Sequence, residues 1–154
     1  MWPRLLVLAV LAATASVRTV DAQSGRQWFG ERGGHGAHLI YGTPRSDDMV
    51  ISFACNTKTV TVSYSFTFAP RAKDGTRMEI ELSSEGGKVQ LTATGQRSML
   101  DDSFLLVGET RLDPVLRKIL TEGRMLSIRV QGRVAPVPLA GAAKPVAELI
   151  AACG

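Results

Sequence analysis

The sequence predicts a mainly β fold: an antiparallel β-sandwich or a partly closed barrel with two short helices, the second C-terminal. Three observations carry this prediction. Thr59–Phe68 alternates between apolar and hydroxyl side chains, which is typical of an antiparallel strand with one buried face. Several other short runs alternate in the same way between turn-forming residues. Two segments have the apolar spacing of a helix.

The first 22 residues predict a signal peptide. Arg4 supplies a positive start, and the apolar run Leu5–Ala13 is too short to span a bilayer. Val20-Asp21-Ala22 ends in a small residue suited to cleavage; cleavage after Ala15 and an uncleaved anchor are the alternatives. The protein is therefore expected to be periplasmic or secreted, with no transmembrane segment once the signal is removed.

Residues 23–36 are polar and glycine-rich, and predict a flexible amino-terminal segment in which Trp28-Phe29 alone contacts the domain. Residues 37–154 are predicted to form a single β-rich domain. Its strands follow from alternation bounded by Gly, Pro, Asp and Ser. They are Ala37–Gly42, Met49–Asn56, Thr59–Phe68, Arg77–Ser83, Lys88–Thr94, Ser103–Glu109, Met125–Gln131 and Val134–Ala140.

The first helix is predicted from its capping residues, because Asp113 suits the N-cap and Pro114 the first helical position. Gly123 is expected to end it. The predicted inner face is Val115, Leu116, Ile119 and Leu120.

The C-terminal segment predicts an edge strand followed by a helix. Pro136 and Pro138 lie two residues apart, so their missing N–H groups would face the same side, as an edge strand allows. The helix, with Pro145 in its first turn, has an apolar stripe at i, i+3, i+4 and i+7. The stripe is Val146, Leu149, Ile150 and Cys153.

Cys55 and Cys153 are the two cysteines, and each falls on the predicted inward face of its own element. In an exported chain two cysteines predict one disulfide. Buried reduced thiols and a pair of intermolecular bridges are the alternatives. A catalytic cysteine is disfavoured because no local base is evident.

The charge of the chain does not indicate a nucleic-acid partner. The formal net charge is +4, and removal of the signal peptide takes away Arg4, Arg18 and Asp21, which leaves +3. This mild basicity lacks the Lys/Arg block of nucleic-acid binders.

Metal and catalytic sites are not predicted either. His35 and His38 have a ligand-like spacing but no third ligand nearby. Asp47-Asp48 and Asp101-Asp102 fit turns better than calcium or glycosidase chemistry. No nucleophile elbow or phosphate-binding glycine loop is present. The chain is therefore predicted to be non-enzymatic, without cofactor or metal.

Two candidate contact surfaces remain. A basic set could meet an acidic protein or an anionic envelope polymer, although solvated surface charge is the better explanation of it. The set is Arg71, Lys73, Arg77, Arg117, Lys118 and Arg124. The segment around 41–48 could present Tyr41, Arg45 and Asp47 as a contact loop.

Several segments carry a resemblance to secreted proteobacterial domains. They are Tyr41-Gly42-Thr43-Pro44, Ser46-Asp47-Asp48, Ile51–Cys55, Pro138–Ala142 and the helix ending Ala152-Cys153. The C-terminal strand, turn and helix are similar to the invasion-associated locus B family, across about a third of the mature chain. The resemblance implies an exported all-β domain with an envelope or host-interaction role, and no active site to carry over.

The sequence thus predicts an exported binding domain whose partner is an unknown protein or envelope polymer. The alternative is a small periplasmic inhibitor of a cell-wall enzyme, inserting a loop such as Arg71–Thr76 into a cleft. An enzyme of unfamiliar type is a third hypothesis, and it requires a pocket where polar groups converge with perturbed pKa values.

Overall fold

The structure, a computed structural model, describes residues 25–33, 36–67, 69, 71–98 and 103–153. Within these ranges the chain forms one nine-stranded sheet and two helices. The strands are β1 (Gln27–Gly33), β2 (Gly36–Gly42), β3 (Met49–Asn56), β4 (Thr59–Phe66), β5 (Arg77–Ser84), β6 (Gly87–Arg97), β7 (Phe104–Arg111), β8 (Met125–Val130) and β9 (Arg133–Pro138); the helices are α1 (Pro114–Thr121) and α2 (Ala143–Cys153).

Some features named above lie outside the described residues. They are the predicted signal peptide at 1–22, Phe68, His35 and the Asp101-Asp102 pair.

The sheet is antiparallel throughout, with strand order β1-β2-β3-β4-β7-β6-β5-β8-β9. It curls so that Trp28 on edge strand β1 donates from Nε1 to the carbonyl of Pro138, at the end of the opposite edge strand, over 2.6 Å. The fold is therefore a curled half-barrel, which confirms the partly closed barrel and not the sandwich.

The predicted alternation determines which face is buried. On β4 the side chains Val60, Val62, Tyr64 and Phe66 are buried, whereas Thr61 and the serines between them are half-exposed. The two helices cover this inner face: α2 packs against β1, β2 and β3, and α1 packs against β5, β6 and α2. One core cluster joins all of these elements.

Helix α1 starts as predicted, with the Asp113 carboxylate accepting the backbone N–H of Leu116 at 2.8 Å and Pro114 in the first turn. Its buried residues are Leu116, Ile119 and Leu120. The placement of Val115 on the inner face is wrong, since its side chain is 41% exposed. Leu116, Ile119 and Leu120 lie three and four residues apart and define the stripe, whereas Val115 precedes it by about 100° around the helix.

The C-terminal predictions are confirmed. β9 is an edge strand, and its successor Leu139 donates its N–H to the carbonyl of Arg124 at 2.9 Å. In α2 the side chains of Pro145, Val146, Leu149 and Cys153 are buried.

The amino-terminal segment differs from the prediction, because Gln27–Gly33 is strand β1 and not a flexible stretch. The folded domain therefore begins before residue 37. Every residue of β1 pairs with β2, from Gln27↔Gly42 to Gly33↔Gly36. Glycine and polar residues have low strand propensity, but cross-strand pairing and the anchored Trp28 outweigh that propensity here.

Gly95 marks a close approach in the core. A Cβ placed there would lie 2.0 Å from the ring of Phe104 on the adjacent strand. Because overpacking forces side chains out of their rotamers, we expect Gly95→Ala to lower the free energy of unfolding by about 1–3 kcal/mol. Urea denaturation measures the change.

The matched control is Gly33→Ala, another strand glycine, where an added Cβ would meet nothing within 4 Å. Its effect should stay within about 0.5 kcal/mol. A Gly95→Ala protein as stable as this control would contradict the packing account.

Candidate functional site

The six basic residues of the predicted surface fall into two groups at opposite ends of β5. Arg71, Lys73 and Arg77 lie at or just before the start of this strand. The other three adjoin its far end, where Ser84 Oγ donates to the carbonyl of Ile119 in α1 at 2.8 Å. Eight strand residues separate the groups by roughly 23 Å, so the set does not form one continuous surface.

The group at α1 makes mainly local contacts. Arg117 Nε donates to the carbonyl of Leu112 at 3.2 Å. Arg124 Nε lies 3.6 Å from Glu85 Oε1, and its backbone N–H donates to Glu85 Oε2 at 3.0 Å. A backbone hydrogen bond within Glu85 itself, and then the one from the backbone N–H of Arg124, lower the pKa of Glu85. The Arg117 side chain therefore takes part in a structural hydrogen bond, whereas the Arg124 side chain is 96% exposed at its ion pair.

In the other group, Arg71 and Lys73 lie on a loop that Arg97 holds in place, whereas Arg77 is the first residue of β5. We define the basic loop as residues 71–76. Arg97 Nη2 donates to the carbonyls of Ala69 and Ala72 at 3.0 and 3.1 Å, and the guanidinium lies 5.6 Å from the centroid of the Phe104 ring. The backbone N–H of Arg97 donates to Asp74 Oδ1 at 2.7 Å. One residue of β6 thus fixes both the start and the middle of the loop.

Backbone bonds fix the rest of the basic loop. Gly75 N–H donates to the carbonyl of Gly95 at 2.9 Å, and Gly95 N–H donates to the carbonyl of Thr76 at 2.8 Å. Thr76 donates to the carbonyl of Lys73 from its backbone N–H at 3.0 Å and from its hydroxyl at 2.6 Å. The loop is therefore preorganised, and binding through it would cost little ordering entropy.

A cavity of about 520 Å³ lies between the basic loop and the β8–β9 turn. Its lining includes Ala69, Ala72 and Met78 together with Arg71, Lys73 and Gln131. Among the described residues, no carboxylate lines the cavity and neither Arg71 nor Lys73 has a side-chain ion pair. The cavity therefore combines apolar walls with two available positive charges, and it falls within the size range of small-molecule sites.

The predicted contact loop around 41–48 is only partly at the surface. Tyr41 is 7% exposed and packs in the core against Trp28, with ring centroids 5.2 Å apart, so it is not part of an exposed loop. Arg45 and Asp47 are exposed, and Arg45 has a positive φ of 62°. They line a second groove, of about 420 Å³, with Phe29, Ile40 and Met49.

Asp48 stabilises this turn. Arg26 donates to its two carboxylate oxygens at 2.8 and 2.7 Å, and Thr43 Oγ1 donates to Oδ2 at 2.8 Å. The hydrogen bonds from Arg26, and then from Thr43, lower the pKa of Asp48 below its usual value near 3.8. The same contact raises the pKa of Arg26.

Because the pKa of Asp48 is lowered by folding, its ion pair stabilises the protein above about pH 3.8 and is lost as the pH falls further. Both side chains are more than a third exposed, so we expect Asp48→Asn to cost only about 0.5–1 kcal/mol at neutral pH. Denaturation of both proteins from neutral to acid pH measures this difference, which should vanish at the acid end. A difference that stays constant with pH would contradict the ion-pair account.

Cys55 and Cys153 are joined in a disulfide, which confirms that prediction. Their Cα atoms are 6.0 Å apart, and both residues are buried. The bond joins the last turn of α2 to β3 and so fixes this helix to the sheet.

The described part of the chain contains no cluster of three or more His, Cys, Asp or Glu side chains able to hold a metal ion. None of its helices is long and apolar enough to cross a membrane.

Comparison with protein-family models, curated proteins and solved structures finds no match.

Arg97, Met78 and Gln131 belong to the candidate site but were not singled out from the sequence. Met78 lies within the predicted strand Arg77–Ser83, and Arg97 follows the end of the predicted strand Lys88–Thr94. Gln131-Gly132 is a turn in which both φ angles are positive, at 48° and 76°. Two consecutive residues with positive φ are typical of a β-hairpin turn, which places Gln131 at the end of a strand. This pattern does not reveal which residues lie near Gln131 in space.

Proposed function

We propose that this protein is an exported, non-enzymatic binding domain that recognises an anionic partner, a protein or an envelope polymer, through its basic loop. The observation that carries the proposal is the preorganised loop beside a cavity with two available cations. A fixed, positively charged and concave surface favours charge-complementary binding. The described residues that line the cavity include no histidine, cysteine or carboxylate, which favours binding over catalysis.

Export is the second part of the proposal. The signal-like features of residues 1–22 and the Cys55–Cys153 bond both favour an oxidising compartment, which is the periplasm or the medium. The resemblance to the invasion-associated locus B family favours an envelope or host-interaction role in that compartment.

A second candidate is inhibition of a cell-wall enzyme by insertion of the basic loop into a cleft. The fixed backbone of residues 71–76 favours it, because protein inhibitors bind with little change of shape. In this version Arg71 and Lys73 would contact acidic groups of the enzyme.

Capture from periplasmic extract by the mature, oxidised protein tests both candidates. We expect Arg71→Ala/Lys73→Ala to weaken capture about tenfold, since two contributing cations at a rim supply roughly 1.4 kcal/mol. The control is Lys58→Ala/Lys144→Ala, which removes the same charge at exposed positions outside the cavity lining. Equal loss in both variants would contradict the proposal.

The same material separates the two candidates. A cell-wall enzyme recovered in the captured fraction, whose activity is suppressed by the wild-type protein and restored by Arg71→Ala/Lys73→Ala, would identify an inhibitor. Capture of a polymer or of a non-enzymatic protein, with the same dependence on Arg71 and Lys73, would identify the binding domain.

A further inference from the structure

The cavity beside the basic loop has two chemically different parts. Its apolar part, which we call the floor, is formed by Met78 and Ala69, which are 6% and 8% exposed, and by half-buried Ala72. Its mouth carries Arg71 and Lys73, both exposed. A simple inorganic anion would use only the mouth, and an uncharged apolar ligand would use only the floor.

No carboxylate is found among the described residues that line the mouth. The carboxylate closest in sequence is that of Asp74, and its Oδ1 already accepts the backbone N–H of Arg97. Asp74 is absent from the lining. Among the described lining residues, a ligand with a negative head group would therefore meet two cations and no carboxylate, which favours charge-complementary binding.

The cavity walls come from two separate connections that are both fixed. The basic loop is held by Arg97, and the opposite wall is Gln131, in a turn set by its own φ of 48° and that of Gly132 at 76°. The pairing Ile80↔Val130 places this turn at the start of β5, beside Met78. The site therefore exists before a ligand arrives. The side-chain amide of Gln131 adds a hydrogen-bond donor and an acceptor to the apolar wall.

We propose that this cavity binds a small amphipathic anion, with a carboxylate or phosphate head between Arg71 and Lys73 and an apolar body on Ala69, Ala72 and Met78. The inference rests on the proposed function, because it assigns a ligand class to the same loop. Such a ligand buries its apolar body on the floor and leaves its charge at the wet mouth, so neither part is placed in an unfavourable environment. The head group could belong to a free amphiphile or to a membrane lipid.

Calorimetric titration of the mature, oxidised protein with decanoate and decyl phosphate tests the ligand class. Decyltrimethylammonium has a similar apolar chain with the opposite charge, and inorganic phosphate is the head group alone. We expect the two anions to bind at least about tenfold more tightly than either comparison compound. Equal binding of the cation, or of phosphate alone, would overturn the amphipathic assignment.

Variants locate the site. Arg71→Ala/Lys73→Ala should weaken decanoate binding at least about tenfold, whereas Lys58→Ala/Lys144→Ala should leave it unchanged. Ala72→Glu places a carboxylate on the floor and should abolish binding, while Ala72→Gln, of similar size, should retain part of it. Decanoate binding that is unchanged both in Arg71→Ala/Lys73→Ala and in Ala72→Glu would overturn the proposal.

Vesicles distinguish the two sources of the head group. Binding to phosphatidylglycerol vesicles but not to phosphatidylcholine vesicles, with loss in Arg71→Ala/Lys73→Ala, supports a lipid source; decanoate binding without vesicle binding supports a free amphiphile. If decanoate fails to bind while capture from extract still depends on Arg71 and Lys73, the ligand class is wrong and the proposed function stands. If decanoate binds and nothing is captured, the site stands and the macromolecular function fails.

Discussion

Replacing both cysteines, as Cys55→Ala/Cys153→Ala, is expected to lower the free energy of unfolding by about 4–5 kcal/mol. The bond closes a chain segment with a sequence separation of 98. Crosslinking so long a segment removes many unfolded conformations, and the chain-entropy model gives about 4.7 kcal/mol for a loop of roughly 100 residues. Alanine is preferred over serine because both positions are buried, and a buried hydroxyl would add a cost of its own.

Urea denaturation of the oxidised wild-type protein and the double variant measures this loss. Reduced wild type is the matched control, since it retains the sulfur atoms while losing the crosslink, and it should unfold close to the variant. In the double variant, the amide hydrogen-exchange rate should increase most in α2, because the disulfide holds the end of this helix against β3. A double variant within about 1 kcal/mol of the oxidised protein would contradict the crosslink argument.

Patterns confined to one element were predictable from the sequence. The alternation in β4, the Asp113 cap of α1 and the proline-marked edge strand β9 each depend on neighbouring residues, and each is confirmed. Tyr41 was predicted both as a strand residue and as part of the contact loop, and the alternation along the strand decides between the two. It shares parity with Leu39 on β2, so it points into the core and not toward the turn that follows.

Features that depend on distant residues were not predictable. Strand β1 is held by β2 and by a hydrogen bond to Pro138, 110 residues later in the chain. Strands β4 and β7 pair with each other although β5 and β6 lie between them in the chain, and no local sequence pattern reveals this pairing. The candidate site combines both cases: Arg71 and Lys73 stood out as a charge cluster, whereas Arg97 and Gln131 come from other parts of the chain.

Trp28→Ala is expected to lower the free energy of unfolding by about 3–5 kcal/mol, because truncation of a buried aromatic removes its packing and leaves a cavity. Trp28 is 6% exposed, and its ring lies 5.2 Å from Tyr41 and 6.4 Å from Phe53, centroid to centroid. It also joins the two edges of the sheet through the carbonyl of Pro138. Its loss should therefore release β1 as well as weaken the core.

Two further variants separate these contributions. Trp28→Phe keeps an aromatic ring but removes the Nε1 donor, and an unmade bond to a part-buried carbonyl should cost about 1–3 kcal/mol. Phe29→Ala changes the next residue of β1, which is half-exposed on the opposite face, and should cost less than Trp28→Ala. Trp28 is the only tryptophan after residue 22, so fluorescence of the mature wild-type protein reports directly on this contact. If Trp28→Ala proved no more damaging than Phe29→Ala, the edges would not be held together by this side chain, and the closure of the half-barrel would need another cause.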